Sequence, residues 1–210
     1  MKTIYQDVWF QQWMTRKDEI LSCRFIEYAW VLRHLGVTGC SILDVGCGAS
    51  WFPLLLALQG YDVTATDLHN FDYKFPYYRF VQSEVTTFTS DKHFDYITVV
   101  STMEHFGIQQ QPLGTEEDRK AIHNLNTFLD DDGIFLVTVP YGHETMLPEW
   151  RVYTQERLAS IFPRIHTQDY FIRDGNYLVK CSREQAAQTV HRRGEATAGL
   201  TCFTAGKAPP

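Results

Sequence analysis

The chain has 210 residues, 44% of them hydrophobic and 14% aromatic, and its 19 basic and 25 acidic side chains leave a formal charge of −6. That is apolar material for one sizeable α/β core, and no internal repeat or Pro-rich linker divides it, so a single domain over 1–210 is expected. The acidic balance without a basic stripe excludes a nucleic-acid groove, and no apolar run nears the roughly 20 residues of a bilayer span, so membrane insertion is not expected either.

Near the start, Gln6, Asp7, Gln11 and Gln12 interrupt any apolar leader core. The five cysteines (Cys23, Cys40, Cys47, Cys181 and Cys202) are an odd set without a Cys-x-x-Cys pair. Neither a disulfide framework nor a metal site is expected from them, and the compartment they suit is the reducing cytoplasm. Residues 17–35 place Ile20, Leu21, Phe25, Tyr28, Ala29, Leu32 and Leu35 at helical spacing, which predicts an amphipathic leading helix with these positions on its buried side.

Residues 41–50 follow. A short apolar run (Ile42, Leu43, Val45) carries Asp44 within it and breaks at Gly46 and Gly48, and a helical stretch begins near Trp51. A strand, a glycine turn and a helix in that order suit a nucleotide-like ligand, because glycine lets a ligand approach the backbone closely. A dinucleotide would need a third small residue where Trp51 stands, so that reading is excluded. Residues 61–66 read as a second strand ending in Asp67, 21 residues beyond Gly46 and near the roughly 20 expected of a ribose-binding acid. The carboxylate can accept from both ribose hydroxyls, or it can simply cap the turn Leu68-His69-Asn70. A third strand, 79–82, runs into Ser83-Glu84-Val85, and a β-branched and aromatic fourth, 94–100, runs into Ser101-Thr102-Met103-Glu104-His105-Phe106-Gly107. Thr115 is the expected N-cap of a helix whose first turn is acidic (Glu116, Glu117, Asp118) and whose apolar positions are Ala121, Ile122, Leu125, Phe128 and Leu129. Asp130-Asp131-Asp132-Gly133 is expected to end that helix, and 134–139 to form a fifth strand stopped by Pro140.

Together, Asp44-Val45-Gly46-Cys47-Gly48, Asp67, the Phe94-Asp95 strand with its Glu104-His105-Phe106-Gly107 exit, and the Gly133-to-Pro140 element resemble class I S-adenosylmethionine-dependent methyltransferases over roughly 100 residues. The resemblance implies S-adenosyl-L-methionine as cofactor. It gives Asp44, in the turn formed with Val45, Gly46, Cys47 and Gly48, the methionine amino group. Asp67 with Leu68 takes the ribose, Glu84 with Val85 the adenine, and the Ser101 backbone the methionine end. Most relatives have Asp where Glu84 stands, so the reach of Glu84 to the adenine is a point of departure.

The remaining chain reads as a helix at 154–161, a strand near 166–173 with a continuation at 177–181, and a last strand near 200–205. Between them, the polar stretch 182–197, holding Arg183, His191, Arg192 and Arg193, reads as a solvated loop, with a short helix as the alternative its Ala, Gln and Arg content allows. From Arg151 onward the likeness is to methyltransferases of bacterial sugar and secondary-metabolite pathways. The fold class expected is α/β, a Rossmann-like three-layer sandwich whose mostly parallel seven-stranded sheet has an antiparallel last strand. It divides into a leading helix (17–35), a cofactor-binding block (41–140) and a C-terminal helix with closing strands (150–206).

The function expected is methyl transfer, in the cytoplasm, to a small-molecule or sugar-linked acceptor at oxygen. The alternatives are a macromolecular substrate and a cofactor-binding module without turnover. His105 is the candidate catalytic base, since it leaves the fourth strand at the cofactor's methionine end and imidazole changes charge near neutral pH. Glu104, Tyr141 and His143 are the substrate-side candidates. Arg151 and Tyr153 read as surface residues, in a salt bridge for the arginine, with an anionic substrate group as the other use.

Overall fold

The computed structural model describes residues 23–108, 116–175 and 177–209. Gln6, Asp7, Gln11 and Gln12, the first part of the leading helix with Ile20 and Leu21, and the expected N-cap Thr115 lie outside the described residues. Helix α1 (Arg24–His34) leads to β1 (Ser41–Val45), α2 (Phe52–Leu58), β2 (Asp62–Asp67), β3 (Tyr78–Gln82) and β4 (Phe94–Val100). Then come α3 (Glu117–Asn126), β5 (Leu129–Pro140), a short hairpin of β6 (Thr145–Met146) with β7 (Arg151–Val152), and α4 (Gln155–Ile161). β8 (Ile165–Asp174), β9 (Tyr177–Cys181), α5 (Arg183–Ala187) and β10 (Gly199–Gly206) close the chain.

The main sheet has eight strands in the order β3-β2-β1-β4-β5-β10-β8-β9. The first five are parallel, while β10 runs antiparallel to both of its neighbours and β9 antiparallel to β8. The eighth strand is β9. The turn at Gly175, where φ is +58°, folds 177–181 back on β8 instead of extending it. Consecutive residues of each strand face opposite sides, so Ile42, Leu136 and Cys202 pack with α1 and α2, while Leu43, Val137 and Phe203 pack with α3, α4 and α5. Helix, sheet and helix thus form three layers.

Three local expectations are corrected. The acidic run at 130–133 lies within β5, because α3 has already ended at Asn126. The β4–β5 register jumps there, Phe94 pairing with Leu129 but Tyr96 with Ile134, so Asp130, Asp131 and Asp132 bulge into solvent. Helix α1 is also rotated from its expected orientation. Phe25 is 58% exposed and Ala29 is exposed, while Glu27, Tyr28, Trp30 and Val31 are buried. Specific contacts set that rotation: Tyr28 stacks on Phe52 at 4.3 Å, the Trp30 indole N–H donates to Asp169 Oδ2 at 2.9 Å, and Glu27 reaches the sheet. In the expected solvated loop, Ser182 caps α5 with a reciprocal Gln185 contact, and His191 is buried with its Nε2 3.1 Å from the Tyr141 carbonyl.

Candidate functional site

In a doubly wound sheet the ligand crevice opens at the carboxyl ends of the strands, where the strand order reverses. Here that point lies between β1 and β4. A cavity of ≈ 500 Å³ sits there, lined by Val45, Gly46, Thr66, Asp67, Leu68, His69, Ser83, Glu84, Val85, Ser101, Thr102, His105, Phe106 and Gly107. Every one of these residues belongs to an end of β1, β2, β3 or β4 or to the turn that follows it.

The turn after β1 is pinned by β2. The N–H groups of Gly46 and Cys47 both donate to the Thr66 carbonyl, at 2.8 and 3.2 Å, and the Gly48 N–H donates to Asp67 Oδ2 at 2.9 Å. Gly46 has φ +67°, and a Cβ there would come within 2.0 Å of Thr102 Cγ2. Glycine is therefore required by the close approach of the β4 exit as well as by the dihedral. Over Gly48 (φ +51°) nothing among the described residues lies within 4 Å of where a Cβ would be. The Cys47 side chain is buried, and burial together with Asp44 and Asp67 pushes its thiol far up, which keeps it protonated and unreactive. Asp44 stands outside the lining, buried in the sheet. It accepts from the Thr98 hydroxyl at 2.6 Å, and burial pushes its carboxyl up to about 7.

Asp67 is brought to the cavity, and it also caps its own turn: Oδ1 accepts from the His69 N–H at 2.9 Å. Glu84 lines the cavity too, but its Oε2 is turned back to the N–H and hydroxyl of Thr86, the first at 2.9 Å. Val85 is buried beside it. Ser101 adopts a left-handed backbone, φ +42°. Its N–H donates to the Thr138 carbonyl and hydroxyl, at 3.1 and 3.0 Å, and its hydroxyl donates to Glu27 Oε1.

A 3-10 turn, Met103–His105, follows. His105 Nδ1 is 2.7 Å from the Glu149 carbonyl. A carbonyl only accepts, so Nδ1 carries the proton and the neutral ring keeps its lone pair on Nε2. Glu104 is 3% exposed, its Oε2 has no hydrogen-bond partner among the described residues, and burial pushes its carboxyl up to about 7.

Of the expected residues, Asp44, Cys47, Gly48, Glu104, Tyr141 and His143 do not line the cavity. Tyr141 and His143 line a separate recess of ≈ 450 Å³ with Gln155, Glu156 and Arg183, and Tyr141 packs against Tyr170 at 5.1 Å. Arg151 and Tyr153 are interior rather than surface. The Arg151 guanidinium donates to Asp118 Oδ2 at 2.6 Å and the Tyr153 hydroxyl to the same oxygen at 3.1 Å, while Arg157 reaches both Asp118 oxygens. Thr66 and Thr102 line the cavity without having been given a role in the sequence reading. Thr66 is buried, and its Oγ1 lacks a hydrogen-bond partner among the described residues. Their position flanking the glycine and acid motifs was the available signal. Among the described residues no group of three His, Cys, Asp or Glu could hold a metal ion, and no helix is long and apolar enough to cross a membrane.

Residues 15–171 match a family model described as a methyltransferase domain. A ubiquinone biosynthesis O-methyltransferase of Rickettsia akari is 35% identical over 88 residues, which is 38% of this chain and 34% of that protein. The chain thus spans about a third of the curated relative it matches. Among solved structures, the 1,6-didemethyltoxoflavin-N1-methyltransferase of Burkholderia thailandensis, determined with S-adenosylhomocysteine, superposes with a TM-score of 0.57 at 18% identity, covering 98% of this chain and 83% of its own. The [4+2]-cyclase SpnF superposes at 0.53 with 17% identity, covering 69% of this chain and 58% of its own. At these identities the likeness is one of fold, and the fold hosts more than one chemistry.

Proposed function

The chain belongs to the methyltransferase-domain family, class I enzymes that use S-adenosylmethionine, and from that premise we propose that it methylates an oxygen of a small-molecule or sugar-linked acceptor. It does so as a single methyltransferase domain in the cytoplasm. The observation that carries the oxygen assignment is the His105 ring on the cavity wall, held through Nδ1 by the Glu149 carbonyl with Nε2 left as a proton acceptor. A neutral amine attacks with its own lone pair, whereas a hydroxyl gains from losing its proton to a base. The Rickettsia akari relative, by name an O-methyltransferase, supports the same choice. The five cysteines are free thiols, which suits a reducing compartment.

The residues present fit the cofactor. Among the described residues nothing crowds the backbone at Gly48 and the buried Thr66 hydroxyl has no partner, and the cavity volume lies in the ordinary range for small-molecule sites. Asp67 with Leu68 would hold the ribose, and the turn Val45, Gly46, Cys47 and Gly48 together with Ser101 the amino-acid end. Asp44 would supply negative charge behind that turn. With Glu84 tied to Thr86, Val85 is left to bear the adenine. The bound cofactor supplies an electrophilic methyl group on its sulfonium. His105 takes the acceptor's proton at Nε2, and Val85, Leu68 and Phe106 keep water from the site. Glu104 is buried and outside the cavity lining, its Oε2 without a partner among the described residues, so it takes no direct part in this step. Tyr141 and His143, in their own recess, stay outside this step.

His105→Ala is expected to bind S-adenosylhomocysteine nearly as the wild type does while losing about 100- to 10,000-fold in rate on a hydroxyl acceptor. His105→Gln, which keeps a side-chain hydrogen bond but no base, should be equally slow. A Gln variant as fast as wild type would remove the base and point to a nitrogen acceptor. Tight binding of S-adenosylhomocysteine with no transfer to any acceptor would favour a binding module.

A further inference from the structure

We propose that Glu27 is a positioning residue of this site: its carboxylate, carried by α1 to the ends of β4 and β5, holds Ser101 in the left-handed backbone conformation that shapes the cavity wall. The methyltransferase reading enters only in naming the ligand used as probe.

Ser101 is one of two non-glycine residues with positive φ among the described residues, and it lines the cavity. A side chain makes that region of backbone space unfavourable, so surrounding contacts must hold the residue there. Glu27 is fully buried and supplies those contacts. Its Oε1 accepts from the Ser101 hydroxyl and, at 2.7 Å, from the Thr138 hydroxyl. Thr138 in turn receives the Ser101 N–H on its own hydroxyl oxygen and its carbonyl. Oε2 receives Arg24 of the same helix at 2.8 Å. A buried carboxylate is expensive unless it is hydrogen-bonded, and two of these bonds are directed at the β4 and β5 ends. The loop from α1 to Ser101 to Thr138 is closed: the helix fixes the carboxylate, the carboxylate fixes both hydroxyls, and Thr138 fixes the Ser101 amide. Docking of α1 and the shape of the cavity are therefore linked, although α1 contributes no residue to the lining.

Calorimetry with S-adenosylhomocysteine on a set of variants tests this. Glu27→Met should weaken binding about tenfold, the lower part of the range for a strained backbone residue, and Glu27→Gln, which keeps one acceptor oxygen, should recover most of the loss. Ser101→Ala keeps the Cβ but loses the hydroxyl and should bind about tenfold more weakly, whereas Ser101→Gly, free to adopt positive φ, should lie closer to wild type. In the Ser101→Gly background, Glu27→Met should then matter less than threefold, a coupling that general damage to the fold would not produce. Equal losses in both backgrounds, or a Gly variant as weak as the Ala variant, would overturn the proposal. The Ala and Gly pair decides it even if Glu27→Met fails to fold. A wild-type protein that ignores S-adenosylhomocysteine would sink the ligand assignment instead. Amide exchange in the free protein still reads the clamp in that case. The backbone N–H at position 101 should exchange at least about tenfold faster in Ser101→Ala than in wild type, and an unchanged rate counts against the Glu27–Ser101 hydroxyl contact.

Discussion

Asp118 and Glu104 are buried equally deep, with 0% and 3% exposure, on either side of Tyr153, whose hydroxyl bonds Asp118 and the carbonyl next to Glu104. Their surroundings are opposite. Asp118 meets two guanidiniums and a phenol, so α3, β7 and α4 are tied through one carboxylate. Glu104 keeps an oxygen without a partner among the described residues, and its carboxyl is pushed up to about 7. Asp44 resembles Glu104: one hydroxyl bonds it, and burial again moves it to about 7. Pairing separates a carboxylate that ties elements of the fold together from one buried next to the cavity-lining His105 with an oxygen unpartnered among the described residues.

Three measurements would break or sharpen this contrast. Asp118→Ala leaves two guanidiniums facing an absent carboxylate and is expected to cost about 3 to 5 kcal/mol of stability in urea unfolding. A cost under about 1 kcal/mol would make the cluster ornamental. Asp67→Ala removes a contact made at the cavity and should weaken S-adenosylhomocysteine by about 1.5 to 3 kcal/mol in calorimetry. Equal affinity in a folded variant would take Asp67 out of the site. The smallest effect concerns Glu104. Its carboxyl lies higher in the folded protein than in the unfolded chain, where it sits near 4.5. This group's favourable contribution is therefore complete below about 4.5 and lost as pH rises to 7 and beyond. Glu104→Gln should gain about 1 to 2 kcal/mol over wild type at pH 8 and little at pH 4.5, after discounting the full 1.36 kcal/mol per pKa unit for relaxation around the charge. A pH-independent gap between the two proteins would contradict it.

The strand ends that line the cavity were legible because local chemistry alone dictates them. Gly46 and Gly48 mark a turn, Asp67 ends an alternating strand, and β-branched residues announce β4. Gly46 was read as leaving room for a ligand, yet the nearest obstacle to a Cβ is Thr102, 56 positions away along the chain and invisible before folding. Glu27 was passed over because a carboxylate beside an apolar helix face looks solvated, and only the rotation of α1 buries it. Asp118 was read as serving the helix dipole, since its partners Arg151 and Arg157 come from elements that meet it only in three dimensions. The strand at 177–181 was seen, but not that Gly175 turns it back into an eighth strand.

The placing of β10 bears on how the molecule is made. Its partners, β5 and β8, are both completed earlier in the chain, and β10 slides between them. Strands β1 to β5 have all been synthesised once Pro140 has been added, but the β5 edge then waits roughly 60 residues for its β10 partner, about 3 to 12 s at ordinary translation rates. During that interval a run of Phe135, Leu136, Val137 and Val139 offers an open, apolar strand edge of the kind that pairs with neighbouring chains. The window in which this protein is most exposed to aggregation thus closes with its final eight-residue strand, so a nascent chain stalled short of that strand is the species that would need a chaperone.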